Sequence, residues 1–289
     1  MDEPWSRSIT VTDVEAAESA SAAAVAAGVT IRDLHHPADT AEAMRLFRSV
    51  WQLGPDDATP VSADLMRAFA HTGNYVAGAF RDGAMVAAST GFLTGDGELH
   101  SHISGVLPAL RDRNVGFALK LYQRAWALRR GITTISWTFD PLVRRNVYFN
   151  LVRLGARAVD YLPDFYGAME GGVNGGDESD RLLLSWPLTA DEVRAACTGR
   201  PVVPLVAAPR PGEPLLLAVG TNGWPRLGGA GSLPWCQIPA DIVALRAAQP
   251  DAARAWRTAL RETLGAAIRD GARVLAFSRE GGYLLPGPR

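Results

Sequence analysis

Two imidazoles, His100 and His102, sit two residues apart in ELHSHISGVLPALRDRNVGFALK, a stretch that opens as a strand and closes as a helix. Side chains alternate along a strand, so the spacing predicts that His100, His102 and Ser104 share one face and Leu99, Ser101 and Ile103 the other. Imidazole titrates near neutral pH and is suited to taking a proton from an attacking group. Glu98, two residues earlier on the same face, either orients one ring or is itself the base. The chain then turns through VLPALRDRNVG into a helix, whose first N–H groups lack intrahelical acceptors and so suit phosphate oxygens. Arg111 and Arg113 add positive charge where a pyrophosphate would sit. The histidines have a second reading, as satisfied polar core or surface residues. A zinc site is disfavoured, because His100, His102 and Glu98 lie on one short strand with no distant ligand cluster.

The elements that must hold this stretch follow from periodicity and turn residues. Val14 to Ala27 is alanine-rich and predicts a helix ended by Gly28. VTIRDL reads as a first strand, DTAEAMRLFRSVW as a helix with Ala43, Leu46, Phe47 and Val50 on one side, and SADLMRAFAHTG as a helix capped by Ser62. NYVAGAFRDGAMVAASTGFL predicts two strands around a tight Asp-Gly turn. Glu98 to Val106 is then a strand and Val115 to Arg130 a helix. ITTISWTF is a strand, LVRRNVYFNLVRLG a helix closed by Gly155, and RLLLSWPL a late strand. This order is mixed α/β, with helices flanking a central sheet. Beyond Pro187, TGRPVVPLVAAPRPGEP reads as a proline-rich connection and GTNGWPRLGGAGSLP as loop. Ala240 to Asp270 is helical in two pieces split by Pro250, and ARVLAFSR and GGYLLP read as short closing strands.

The 289 residues are 47% hydrophobic and 20% charged with a net charge of -1, the composition of a soluble globular protein with no general attraction to nucleic acid or anionic membrane. Lys120 is the single lysine in an arginine-rich chain. Cys197 and Cys236 form neither a disulfide framework nor a metal-ligand pattern, so a reducing cytoplasm fits. The N-terminal stretch has no signal-peptide pattern, and no apolar span is long enough to cross a bilayer.

From Arg111 to Gly116 the sequence resembles motif A of the GNAT superfamily of acyltransferases: Arg or Gln, two residues, Gly, one residue, then Gly or Ala. Asn114 stands at the middle glycine, and Asn is the non-glycine residue best able to adopt a left-handed backbone. The resemblance implies that the backbone of Ser104, Gly105 and Val106 pairs with the pantetheine arm of acyl-CoA. It also implies that the amides of Asp112, Arg113, Asn114, Val115, Gly116 and Phe117 cradle the pyrophosphate. His100 and His102 fall where serotonin-type arylalkylamine acetyltransferases carry a histidine pair. RRNVYFNLVRLGA resembles motif B, with Asn146 near the helix start; Leu151 occupies the position of the tyrosine that often protonates the leaving thiolate. Tyr148, Tyr161 and Tyr166 are substitutes by type, packing being the alternative for each, and departure of an unprotonated thiolate is a further option. Arg144, Arg145 and Asn146 after Asp140 suit either the CoA 3′-phosphate or the acceptor, or form a solvated helix start. Asp180 and Arg181 either pair with each other or bind an acceptor carboxylate, while Trp256, Arg257 and Arg261 read as structural.

The longer run HSHISGVLPALRDRNVGFALKLYQRAWALRRGITTISWTFDPLVRRNVYFNLVRLGA, with YLPDFYG, SDRLLLSWPL, IPADIVAL and AWRTALRE, is similar to a bacterial GNAT subfamily related to amino-acid N-succinyltransferases. The expected organisation is an N-terminal helical appendage over 1–29, a GNAT acyltransferase core over 30–188, and a C-terminal extension over 189–289 that completes the acceptor pocket or a dimer interface. The expected activity is transfer of an acetyl or succinyl group from acetyl-CoA or succinyl-CoA to a small-molecule amine such as an amino acid, without metal. The other class is a CoA-binding or protein-interaction module that keeps the fold and lacks the reaction.

Overall fold

A computed structural model describes residues 9–167, 177–199, 209, 210, 212–220, 222–229 and 231–286. Met1 to Ser8 and most of the proline-rich connection lie outside the described residues. The chain divides into two units, residues 1–137 with 187–190, and 138–186 with 191–289, which part at other positions than the boundaries expected from sequence.

In the first unit, α1 (Val11–Ala27) starts at a capping box between Thr10 and Asp13 and stops at Gly28, which adopts φ 65°. Ala23, Ala24 and Ala27 pack against Val115, Ala118 and Leu119, so this helix joins the core of its own unit. β1 (Thr30–Asp33) leads to α2 (Pro37–Trp51) and α3 (Ala63–His71), the latter capped by the Ser62 hydroxyl on the Leu65 N–H. β2 (Val76–Arg81) and β3 (Ala84–Leu93) are joined by Asp82 and Gly83, both at positive φ as the tight turn requires. β4 (Leu99–Val106), α4 (Val115–Arg129) and β5 (Thr134–Phe139) follow. Pairing runs β1-β2-β3-β4-β5, antiparallel except for the parallel β4–β5 pair.

One irregularity decides what β4 presents. Thr90 pairs with Ile103 and its neighbour Gly91 with Ser101, so His102 is an extra residue and β4 bulges there. The bulge reverses the alternation expected from sequence. Ile103 joins the core formed with α2 and α3, while Ser104 turns the other way to meet Ser89, Oγ to Oγ at 2.6 Å. Ser104 therefore does not share a face with His100. Glu98 lies one residue before β4, in the turn closed by the Thr94 N–H donating to the Glu98 carbonyl.

Gly91 makes the bulge sterically feasible, because a Cβ there would lie 2.6 Å from the His100 carbonyl oxygen, a backbone atom that cannot rotate away. Gly91→Ala is expected to cost about 1–3 kcal/mol through forced displacement of β4. Thermal unfolding checks this; an unchanged midpoint would mean that the bulge relaxes freely.

In the second unit, α5 (Arg144–Val147) runs into a π-helical turn at Tyr148–Arg153, where an uninterrupted helix was expected. Gly155 ends it at φ 69°. β6 (Arg157–Leu162) pairs antiparallel with β7 (Arg181–Pro187), and α6 (Asp191–Cys197) follows. β8 (Leu215–Val219), β9 (Pro225–Leu227) and β10 (Leu233–Gln237) precede α7 (Ile242–Ala248) and α8 (Pro250–Leu260), which meet at Pro250. α8 continues through a π-helical turn into α9 (Ala266–Arg269), and β11 (Ala276–Phe277) and β12 (Gly282–Leu284) close the chain. A five-stranded sheet has the order β11-β12-β10-β8-β9. The segment read as loop from Gly220 to Pro234 thus contains β9 and the start of β10.

Candidate active site

β4 and β5 are held together only where they begin. Leu99 pairs with Ile135 and His100 with Ser136, and no further β4–β5 pair forms among the described residues. Past that point β4 remains laddered to β3 as far as Val106. Its opposite edge is left with backbone groups that must find other partners. The split between the strands therefore exposes an edge shaped for an extended polar chain.

His100 stands at the apex of the split. Its Nδ1 lies 3.1 Å from Ser136 Oγ, and its ring packs on Phe92 with centroids 5.2 Å apart. His102, on the bulge, reaches the same Phe92 at 6.1 Å, and its Nε2 is 3.4 Å from the Pro60 carbonyl. A carbonyl only accepts, so that contact assigns the proton to Nε2 of His102. The two rings lie together, as their spacing predicted. Burial, with smaller contributions from His102 and Lys120, lowers the His100 pKa and favours the neutral imidazole at pH 7.

At the far end of β4 a short 3₁₀ turn, Pro108–Leu110, leads through Arg111–Asn114 into α4. Asp112 (φ 66°) and Asn114 (φ 59°) are both left-handed, so Asn114 takes the backbone of the glycine it replaces. Such backbones persist where the surroundings hold them, often at ligand sites. Arg111, Asp112, Arg113 and Asn114 are exposed at the helix start, Val115 is buried, and Gly116 and Phe117 are half-buried. A Cβ on Gly116 would meet no protein atom closer than the Val106 side chain at 3.6 Å. No side chain of the unit itself needs a glycine there, whereas close approach of a ligand to the helix start would. Gly105 differs: a Cβ would crowd Trp51 and Phe47 at 3.1 and 3.2 Å, so its role is packing.

Asn146 and Tyr148 belong to the second unit, both half-buried. Tyr161 is committed elsewhere, its hydroxyl donating to buried Asp180 at 2.8 Å. Asp180 also accepts from Arg261 and does not pair with Arg181. Burial pushes the Cys236 thiol up to about 12, which leaves it protonated. Among the described residues no group of three or more His, Cys, Asp or Glu could hold a metal ion, and no helix is long and apolar enough to cross a membrane. Sequence reasoning noticed Lys120 as the lone lysine but missed its position beside the split and the Ser136 contact of His100.

Residues 16–141, under half of the 289, match the model of a family described as acetyltransferase (GNAT) domain. The mixed α/β fold expected of a GNAT core is the fold observed. None of the curated proteins matches. Among solved structures, the chain is similar to the ribosomal-protein-S18-alanine N-acetyltransferase of Escherichia coli at 18% identity, over 56% of this chain and 95% of that one, with a TM-score of 0.44. It is also similar to yncA of Salmonella typhimurium with its cofactor acetyl-CoA, at 18% identity over 57% and 98% (TM-score 0.46). An aminoglycoside 6'-N-acetyltransferase complexed with coenzyme A matches at 17% identity over 56% and 98% (TM-score 0.42).

Proposed function

We propose that this protein is an acyl-CoA-dependent N-acyltransferase that moves an acetyl or succinyl group to the amine of a small molecule such as an amino acid. The observation that carries the reading is the split between β4 and β5, with a half-buried imidazole at its apex and a phosphate-suited helix start at its other end. The left-handed Asp112 and Asn114 and the open space at Gly116 fit a pyrophosphate there. In this reading bound acyl-CoA supplies an activated thioester. The β4 edge at Ser104, Gly105 and Val106 holds the pantetheine arm, and Arg111 and Arg113 add charge beside the phosphates. A backbone N–H near Val106 polarises the thioester carbonyl.

An ammonium must lose a proton before its nitrogen can attack. His100, neutral at working pH and at the apex, accepts that proton; His102 packs beside it and shields the site with Phe92. The reading expects amine-dependent release of CoA from acetyl-CoA or succinyl-CoA with a pool of amino acids and small primary amines. Binding of CoA without release above the no-amine rate would instead assign a CoA-binding module.

A further inference from the structure

Of 29 basic residues only Lys120 is a lysine. It lies buried on α4, with Nζ donating to Ser101 Oγ at 2.9 Å and to Gln123 Oε1 at 3.0 Å, and sits 4.0 Å from the Trp137 ring centroid. Ser101 and Trp137 directly follow His100 and Ser136, the last residues that pair β4 with β5. The amine is therefore at the level where the strands part, reached from α4, while His100 packs on the opposite face with Phe92.

These partners are neutral. A buried cation held, among the described residues, by a hydroxyl, an amide oxygen and a ring face is costly, and arginine, used everywhere else in the chain, could not shed that cost. Lysine can lose its proton, and burial lowers Lys120 to about 7. Next to it, Gln123 Nε2 is a buried donor with no hydrogen-bond partner among the described residues, so the cluster has capacity for an acceptor that the unit does not supply. Of the ionisable groups on or beside α4, Tyr122 donates to Asp33, Arg124 holds the Leu188 carbonyl, and Arg130 lies over the Trp126 ring. His100 on β4 is the ionisable group whose titration Lys120 perturbs.

We propose that Lys120, bonded to Ser101, is the acid that gives a proton to the departing sulfur of the acyl donor. This rests on the acyl-CoA reading above. As the new carbon–nitrogen bond forms and the carbon–sulfur bond breaks, the sulfur takes the proton Lys120 releases and becomes the thiol of CoA. His100, having passed the ammonium's proton to solvent, takes the second proton that the nitrogen sheds as the amide forms. Lys120 then regains a proton from solvent and His100 loses one, so the cycle closes without a further reactant.

A single lysine gives a single labelled lysine Cε signal, which makes the test independent of any variant or acceptor. The signal is followed against pH in the free protein, with CoA, and with desulfo-CoA, in which hydrogen replaces the thiol; calorimetry monitors binding. The free protein is expected to titrate near 7. The midpoint is expected to lie about one unit or more higher with CoA than with desulfo-CoA, because a nearby thiolate favours the ammonium. Equal midpoints with both ligands bound would overturn the role of Lys120 and leave the acyl-CoA reading standing. Failure of both ligands to bind would overturn that reading and this inference with it.

Discussion

Asp140→Ala is expected to destabilise the second unit by about 3–5 kcal/mol, the cost of leaving buried charges without their partner. Asp140 sits in a buried cluster with Asp177, Arg246 and Arg257. Arg257 donates to Asp140 at 2.9 Å and to Asp177 at 2.8 Å, and Arg246 bonds both carboxylates. Asp140 also accepts the Leu142 N–H at 2.9 Å. Burial by itself would raise the Asp140 pKa, but Arg257 and Arg246 outweigh it and hold the group at about 2. A folded value below the unfolded one, near 4, makes the contribution full above about pH 4 and lost as pH falls toward 2. Denaturant unfolding between pH 2 and 7 should show this acid-side fall in the native chain and a shallower one in Asp140→Ala. The exposed Asp251–Arg254 pair is the control, with Asp251→Ala costing no more than about 1 kcal/mol. Equal stabilities for the two variants would mean that the buried cluster is not a cohesive unit.

Replacing both histidines, as His100→Gln with His102→Gln, should lower amine-dependent turnover by about 10²- to 10⁴-fold, the usual worth of a positioned base. CoA affinity should stay within about threefold, since neither ring belongs to the phosphate cradle. His100→Gln alone should account for most of the loss, because the low-pKa imidazole is at the apex of the split. Activity of the native protein should rise with pH through a limb below the ordinary imidazole value near 6.5, since the base works only when neutral, and should fall again at higher pH as Lys120 loses the proton it must give. His102→Gln should keep that limb, whereas His100→Gln should remove it. A double variant with native turnover would show that the base is another group or solvent.

Local signals exposed much of this architecture to sequence reasoning. The Asp82-Gly83 turn, the Ser62 cap, the glycine stop of α1, and the bounds of α4 each depend on neighbouring residues. Asn114 could be read as left-handed because few other side chains tolerate that backbone. The bulge at His102 was not legible: alternation within one strand carries no record of which residue its neighbour skips. For that reason Ser104 was assigned to the wrong face. β6, α6 and β8 were missed as short segments: β6 buries Tyr161 alone of its six residues, and Leu215 and Ala218 of β8 pack on Trp235, distant in sequence. The ion cluster was illegible for a similar reason, since Asp140 meets Arg246 and Arg257 across more than a hundred residues. Lys120 stood out by composition, yet only the split between β4 and β5 gives its burial a meaning.

The acyl-CoA claim is tested most directly by isothermal titration of the protein with acetyl-CoA, succinyl-CoA and free CoA. Micromolar binding is expected, weakened by Arg111→Ala with Arg113→Ala and by added salt, as a phosphate contact at an exposed helix start requires. Absence of heat with all three ligands, from protein that unfolds cooperatively, would contradict it.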